Sequence, residues 1–233
     1  MIYVAHQDSA SSTEALNALQ EFFAKVDQIF STYREDSEIS LIRRGEKKES
    51  DFSDEMKEVI TGCKIAREIT EGAFDPWILP YGLDTSGYVK GWASQKGIEI
   101  LNSFGIGSAQ INSAGDIYLS GGFQHGPWSI GIRDPNDSAK IVKVFELENG
   151  AIATSGTYER GSHIFDPATS TVAIGARSAT VIGPNGGLAD ALATALIVSG
   201  REGARWFANP KLRDYSAWVI ERRSDIAWGI NLT

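Results

Sequence analysis

The chain is poor in the residues that build cysteine or imidazole sites. Cys63 is the only cysteine among 233 residues, so neither an intrachain disulfide nor a cysteine-based metal knuckle can form. It stands in an apolar helical pattern, which suits a small core residue better than a reactive thiol. Only 3 histidines are present, His6, His125 and His163. No run approaches the roughly 18 consecutive apolar residues of a membrane span. Residues 1–7 lack the basic and apolar regions of a secretory signal, so the sequence as written predicts a cytoplasmic protein, exported only if a signal has been trimmed from its start. Acidic residues outnumber basic ones, 30 to 22, for a net charge of −8, which argues against a nucleic-acid partner. No P-loop, His-Glu-x-x-His or Gly-x-Ser-x-Gly motif occurs, and Gly105-Ile106-Gly107 lacks the third glycine of a dinucleotide loop.

What is present is ordinary globular material, 42% hydrophobic and 22% charged. Ser11 and Glu14 have capping-box spacing and open an apolar helical pattern that predicts a helix to about Ser31. The polar stretch 33–51 reads as a loop with one short extended segment. Met56, Val59, Cys63, Ala66 and Ile69 predict a second helix, closed by Gly72. A Gly- and Pro-containing loop over 73–87 leads to a third helix over 88–102. Short runs bounded by Gly, Pro and Asn then predict strands at 109–119, 128–133, 142–147, 151–154 and 180–183. A further helix spans 188–199, a short one follows it, and a hairpin of 216–221 with 226–231 closes the chain. Helices first and strands after, with few crossovers, predict an α+β fold of largely antiparallel sheets packed with helices, in a single domain over 1–233.

Three segments carry the chemistry. The helix at 186–198 is apolar almost all round, and Asp190 and Thr194 are its only polar side chains, four apart and hence on one face. A carboxylate there needs a partner, either the backbone N–H groups of a helix start or a hard cation such as Mg²⁺. In Asp84-Thr85-Ser86-Gly87-Tyr88-Val89-Lys90 an acid and a lysine flank a glycine, which reads either as a capped helix start or as a place where backbone and a point charge meet a phosphate. The third segment is Ala153-Thr154-Ser155-Gly156 with His163-Ile164-Phe165-Asp166-Pro167, where His163 is the natural candidate for a general base near neutral pH.

In order along the chain, Tyr33 to Glu38, Gly72-Ala73-Phe74-Asp75, the 84–93 stretch, Asn112-Ser113-Ala114-Gly115-Asp116, and 163–167 with 188–196 together resemble the ApbE family, the FAD:protein FMN transferases. The strings Ala-Asp-Ala-Leu-Ala-Thr-Ala-Leu and Ala-Thr-Ser-Gly are specific when found together. Two local departures stand out: Ala168-Thr169-Ser170 replaces the family's Arg-Thr-Gly, and Ser113 replaces a small residue of Asn-Ala-Gly-Gly-Asp. The resemblance implies that Tyr33, Ala73, Phe74, Asp75, Asp84, Lys90 and Ile164 contact FAD. It implies Mg²⁺ held by Asp190, Thr194, the backbone of Ala193 and the carbonyl of Gly87. The expected reaction moves FMN from FAD onto a Ser or Thr hydroxyl of an acceptor protein and releases AMP, with Lys90 and His163 catalytic. A FAD pyrophosphatase and a non-catalytic FAD carrier are the alternatives.

Overall fold

The computed structural model describes residues 1–4, 9–78, 82–123, 126–156, 164–224 and 226–232. In chain order come β1 (Ile2–Val4), α1 (Ser9–Phe30), α2 (Glu38–Arg43), α3 (Asp54–Ile69), β2 (Trp77–Ile78), β3 (Gly82–Leu83) and α4 (Ser86–Ser103). Then follow β4 (Ala109–Ser113), β5 (Asp116–Ser120), β6 (Trp128–Arg133), β7 (Ile141–Leu147), β8 (Gly150–Gly156), β9 (Phe165–Asp166) and β10 (Thr171–Val172). The last elements are β11 (Ala176–Gly183), α5 (Gly186–Ser199), β12 (Ser216–Glu221) and β13 (Ala227–Ile230), with a 3₁₀ stretch over Gly200–Ala208. Seven strands form one sheet in the order β1-β4-β5-β8-β11-β12-β13, and each neighbouring pair is antiparallel. The architecture is the expected α+β one.

Alternation along the strands sorts side chains to two faces. Ala151 and Ala153 of β8 and Ala217 and Val219 of β12 face α5, where Leu192, Ala193 and Leu196 are wholly buried. An all-apolar helix has to be covered on most sides, and α5 is covered by α3, α4, β8 and β11. On the opposite face, Ile152, Trp218 and Ile220 meet Trp128, Ile130 and Ile132 of β6, whose intervening residues are exposed. Each such aliphatic side chain contributes about 1.5–3 kcal/mol on burial.

Several boundaries differ from the sequence expectation, for physical reasons. The stretch 109–119 is a hairpin, not one strand: Ala114 (φ 53°) and Gly115 (φ 98°) turn the chain, and Asn112 Oδ1 accepts from Gly115 N at 2.9 Å. The polar stretch 33–51 holds helix α2 instead of an extended segment, because the Ser37 side chain caps Ser40 N and Ile39 is fully buried beneath it. Helix α1 begins at Ser9, so Ser11 lies inside it. Gly72, with φ 85°, does follow α3 and donates its N–H to Arg67 O at 2.9 Å, as a helix-ending glycine should.

Candidate active site

Helices α4 and α5 touch backbone to backbone. A Cβ on Gly91 would stand 2.0 Å from Gly186 O, and one on Gly186 would stand 2.2 Å from Gly91 O. Only glycine permits this approach. It brings side chains one position from Gly91 and four from Gly186 into direct contact. Lys90 Nζ reaches Asp190 Oδ1 at 3.0 Å and Oδ2 at 2.9 Å, across 100 residues of sequence. Gly91 N–H points at Asp190 Oδ2 from 3.4 Å.

The start of β5 completes the cluster. Asp116 Oδ2 lies 2.7 Å from Lys90 Nζ, and Lys90 also donates to Ser86 O at 3.0 Å. Both carboxylates are almost inaccessible, with side-chain exposure of 3% for Asp116 and 0% for Asp190, whereas Lys90 keeps 28%. Burial alone would lower the Lys90 pKa, but the charges of Asp190 and Asp116 outweigh it and hold the ammonium above its ordinary value. Helix α5 begins two residues before the expected start, so Asp190 sits past its first turn. The reading of Asp190 as a helix-start acid is therefore corrected: Asn185 caps α5 by accepting from Leu188 N, and Asp190 turns to α4.

Above this cluster opens a cavity of about 150 Å³. Helical geometry fails at Gly87 (φ −84°, ψ 15°), which kinks the first turn of α4 beside Thr194. A Cβ on Gly87 would stand 3.2 Å from Thr194 Oγ1 and from Phe74 Cε2. Thr194 Oγ1 shares a hydrogen bond with Ser155 Oγ at 3.2 Å. Ala73, Phe74, Asp75, Asp84, Gly87, Lys90, Ile164 and Thr194 all line this cavity, so most of the residues singled out in the sequence converge. Two arginines hold its acids in place. Arg43 Nε donates to Leu83 O at 2.6 Å with Nη2 3.2 Å from Asp84 Oδ2, and Arg67 Nε donates to Asp75 Oδ2 at 2.7 Å. The other oxygens of these acids accept from Ser86 N and Trp77 N, both at 2.9 Å.

Ala193 is buried on α5 next to Thr194 and does not line the cavity. Tyr33 stands apart from the cluster, 94% exposed and outside the cavity lining. His163 falls in 157–163, outside the described residues, as do His6 and His125. Sequence reasoning left Asp116, Ser155 and Arg43 without a role. Asp116 closes the Asn-Ser-Ala-Gly-Asp string and Ser155 stands in Ala-Thr-Ser-Gly, so both were visible as motif members, but Arg43 carried no signal.

The sequence model of the ApbE family matches residues 2–82 and 80–219. A FAD:protein FMN transferase of Rhodobacter capsulatus is 38% identical over 128 residues, taking in 52% of this chain and 24% of that protein. One from Vibrio cholerae is 37% identical over 132 residues, 52% of this chain and 39% of that protein. The chain thus matches well under half the length of these curated relatives. Among solved structures, flavin transferase ApbE from Vibrio cholerae superposes with a TM-score of 0.83 at 24% identity, covering 98% of this chain and 92% of that one. The ApbE protein of Thermotoga maritima gives 0.83 at 22% identity, covering 97% and 92%. At such identities the likeness is one of fold.

Proposed function

The chain belongs to the ApbE family, and from that membership we propose that it transfers FMN from FAD to a Ser or Thr hydroxyl of an acceptor protein, releasing AMP. The observation that carries the reading is the convergence of Lys90, Asp116 and Asp190, drawn from three elements, beneath a cavity that Thr194, Gly87 and Asp84 line. The named relatives are FAD:protein FMN transferases, which agrees with it.

The donor chemistry suits Mg²⁺. Asp190 offers a carboxylate, Thr194 a hydroxyl and Gly87 a backbone carbonyl, all hard oxygens of the kind this ion takes, whereas the backbone of Ala193 lies inside α5, away from the cavity lining. Asp75 and Asp84 are paired with Arg67 and Arg43, but the single Lys90 ammonium faces two buried carboxylates, Asp116 and Asp190, so the site is net negative and an anionic diphosphate needs added positive charge to enter. Asp190, Thr194 and Gly87 would hold such an ion, which would supply charge neutralisation to the diphosphate.

The chain's own part is positioning. Lys90 presents a positive charge to the phosphate, kept protonated by its carboxylate neighbours. Asp75 and Asp84, immobilised by Arg67 and Arg43, set the walls against which the dinucleotide is oriented. Phe74 and Ile164 give it apolar surface. The acceptor hydroxyl oxygen bonds to the FMN-side phosphorus, the bond from that phosphorus to the bridging oxygen breaks, and AMP leaves with the electron pair. His163 accepts the hydroxyl proton. The test is incubation with FAD, Mg²⁺ and an acceptor domain, followed by gel fluorescence and chromatography of the flavin. Protein-bound FMN is expected. Free FMN alone would mean a pyrophosphatase and intact FAD a carrier, and either result would overturn the proposal.

A further inference from the structure

Asp190 is the one carboxylate of α5, and the Lys90 ammonium already holds both of its oxygens, at 2.9 and 3.0 Å. A divalent cation on that carboxylate therefore meets an occupant. The occupant has somewhere to go. Asp116, at 2.7 Å, is its shortest contact, and Lys90 is the only cluster member with appreciable exposure, on the cavity side. We infer that Lys90 and the metal compete for Asp190, so that Lys90 sets the affinity of the site for divalent cations by acting as its built-in replacement. The inference rests on the proposed metal reading of this site and deepens it.

The physical reasons are two. Leaving a buried carboxylate without a counter-charge is strongly unfavourable, so an internal cation stabilises the protein while no metal is bound. Two cations crowded on one carboxylate repel each other in a medium less polar than water, so entry of the metal and departure of the ammonium are coupled. Once displaced toward Asp116, the same ammonium stays beside the cavity, where a phosphate can meet it. One lysine thus serves the resting protein as a counter-ion and the loaded protein as a phosphate contact.

Metal-stripped wild type, Lys90→Met and Lys90→Arg are titrated with MgCl₂ and MnCl₂ by calorimetry, without FAD, alongside thermal melts. Lys90→Met is expected to bind the ions about tenfold tighter or better than wild type, the Arg variant near wild type, and the metal-free Met variant to melt lowest. Crystals of wild type grown with and without MgCl₂ give a second readout that does not depend on the Met variant folding: Lys90 Nζ should leave hydrogen-bond reach of Asp190 and keep Asp116. Equal or weaker binding by Lys90→Met, or a Lys90–Asp190 contact that survives metal loading, would overturn the inference while leaving the metal reading intact. Failure of wild type and Lys90→Met alike to bind either ion would overturn both.

Discussion

In a Gly91→Ala variant the new Cβ would stand 2.0 Å from Gly186 O, against an ordinary contact of about 3.5 Å. Neither atom can rotate away, since one is fixed to the backbone of α4 and the other to the first turn of α5. The helices must part by roughly 1 Å or more to relieve the clash. Overpacking of this kind costs about 1–3 kcal/mol, and the better helix propensity of alanine offsets about 0.5–1 kcal/mol of it. A net loss of up to about 2.5 kcal/mol lowers the melting temperature by up to about 10 °C in a chain of this size. The larger effect falls on chemistry. Lys90 adjoins the substituted residue and Asp190 lies one turn beyond Gly186, so the two charges move apart with the helices, and misplacement on this scale costs about 100-fold in rate. The assay is a thermal melt beside the initial rate of FMN transfer from FAD. Gly107→Ala serves as the control, because nothing lies within 4 Å of its added Cβ. A Gly91→Ala protein that melts with the control and transfers flavin at the wild-type rate would refute the close-contact argument.

Three further outcomes are expected. Asp190→Ala abolishes acceptor labelling at any Mg²⁺ concentration, checked by gel fluorescence; full activity in that variant would end the metal reading. Arg43→Met frees the wall that carries Asp84 and raises the KM for FAD about tenfold, with kcat falling less, as steady-state kinetics would measure. Cys63 resists thiol reagents at pH 8 in the native protein and reacts fully in denaturant. Burial chiefly, with the charges of Asp190 and Asp84 adding to it, pushes its thiol pKa up, so the thiolate fraction at pH 8 is below that of an exposed cysteine. An Ellman titration of native and unfolded protein decides it.

How much of this was legible in the sequence depended on how local its cause is. Helices α3 and α5 were readable because their burial pattern is written in consecutive turns. The charged face of α5 was equally plain, since two polar residues in an apolar helix sit four apart. The hairpin at 109–120 was missed because its turn is Ala114-Gly115, where an alanine takes the left-handed conformation that Asn or Asp usually signals. Helix α2 was missed because six residues give the period too little room, and its stability comes from the Ser37 cap and the burial of Ile39. In the site, the partner of Asp190 lay beyond any local pattern. It depends on two glycines, Gly91 and Gly186, that let separate helices touch. Arg43 shows the same limit, for its value comes only from Leu83 and Asp84, forty residues on.

The Lys90–Asp116–Asp190 cluster draws on three elements spread over 100 residues. Distant partners of this kind meet late, after loop closure has brought their supports together. A chain with α4 packed on β5 but α5 undocked would hold a lysine and an acid with no third member. Such a species would have no pre-arranged grip on a multivalent ion, so ion uptake would report completed assembly of the protein as well as readiness to react.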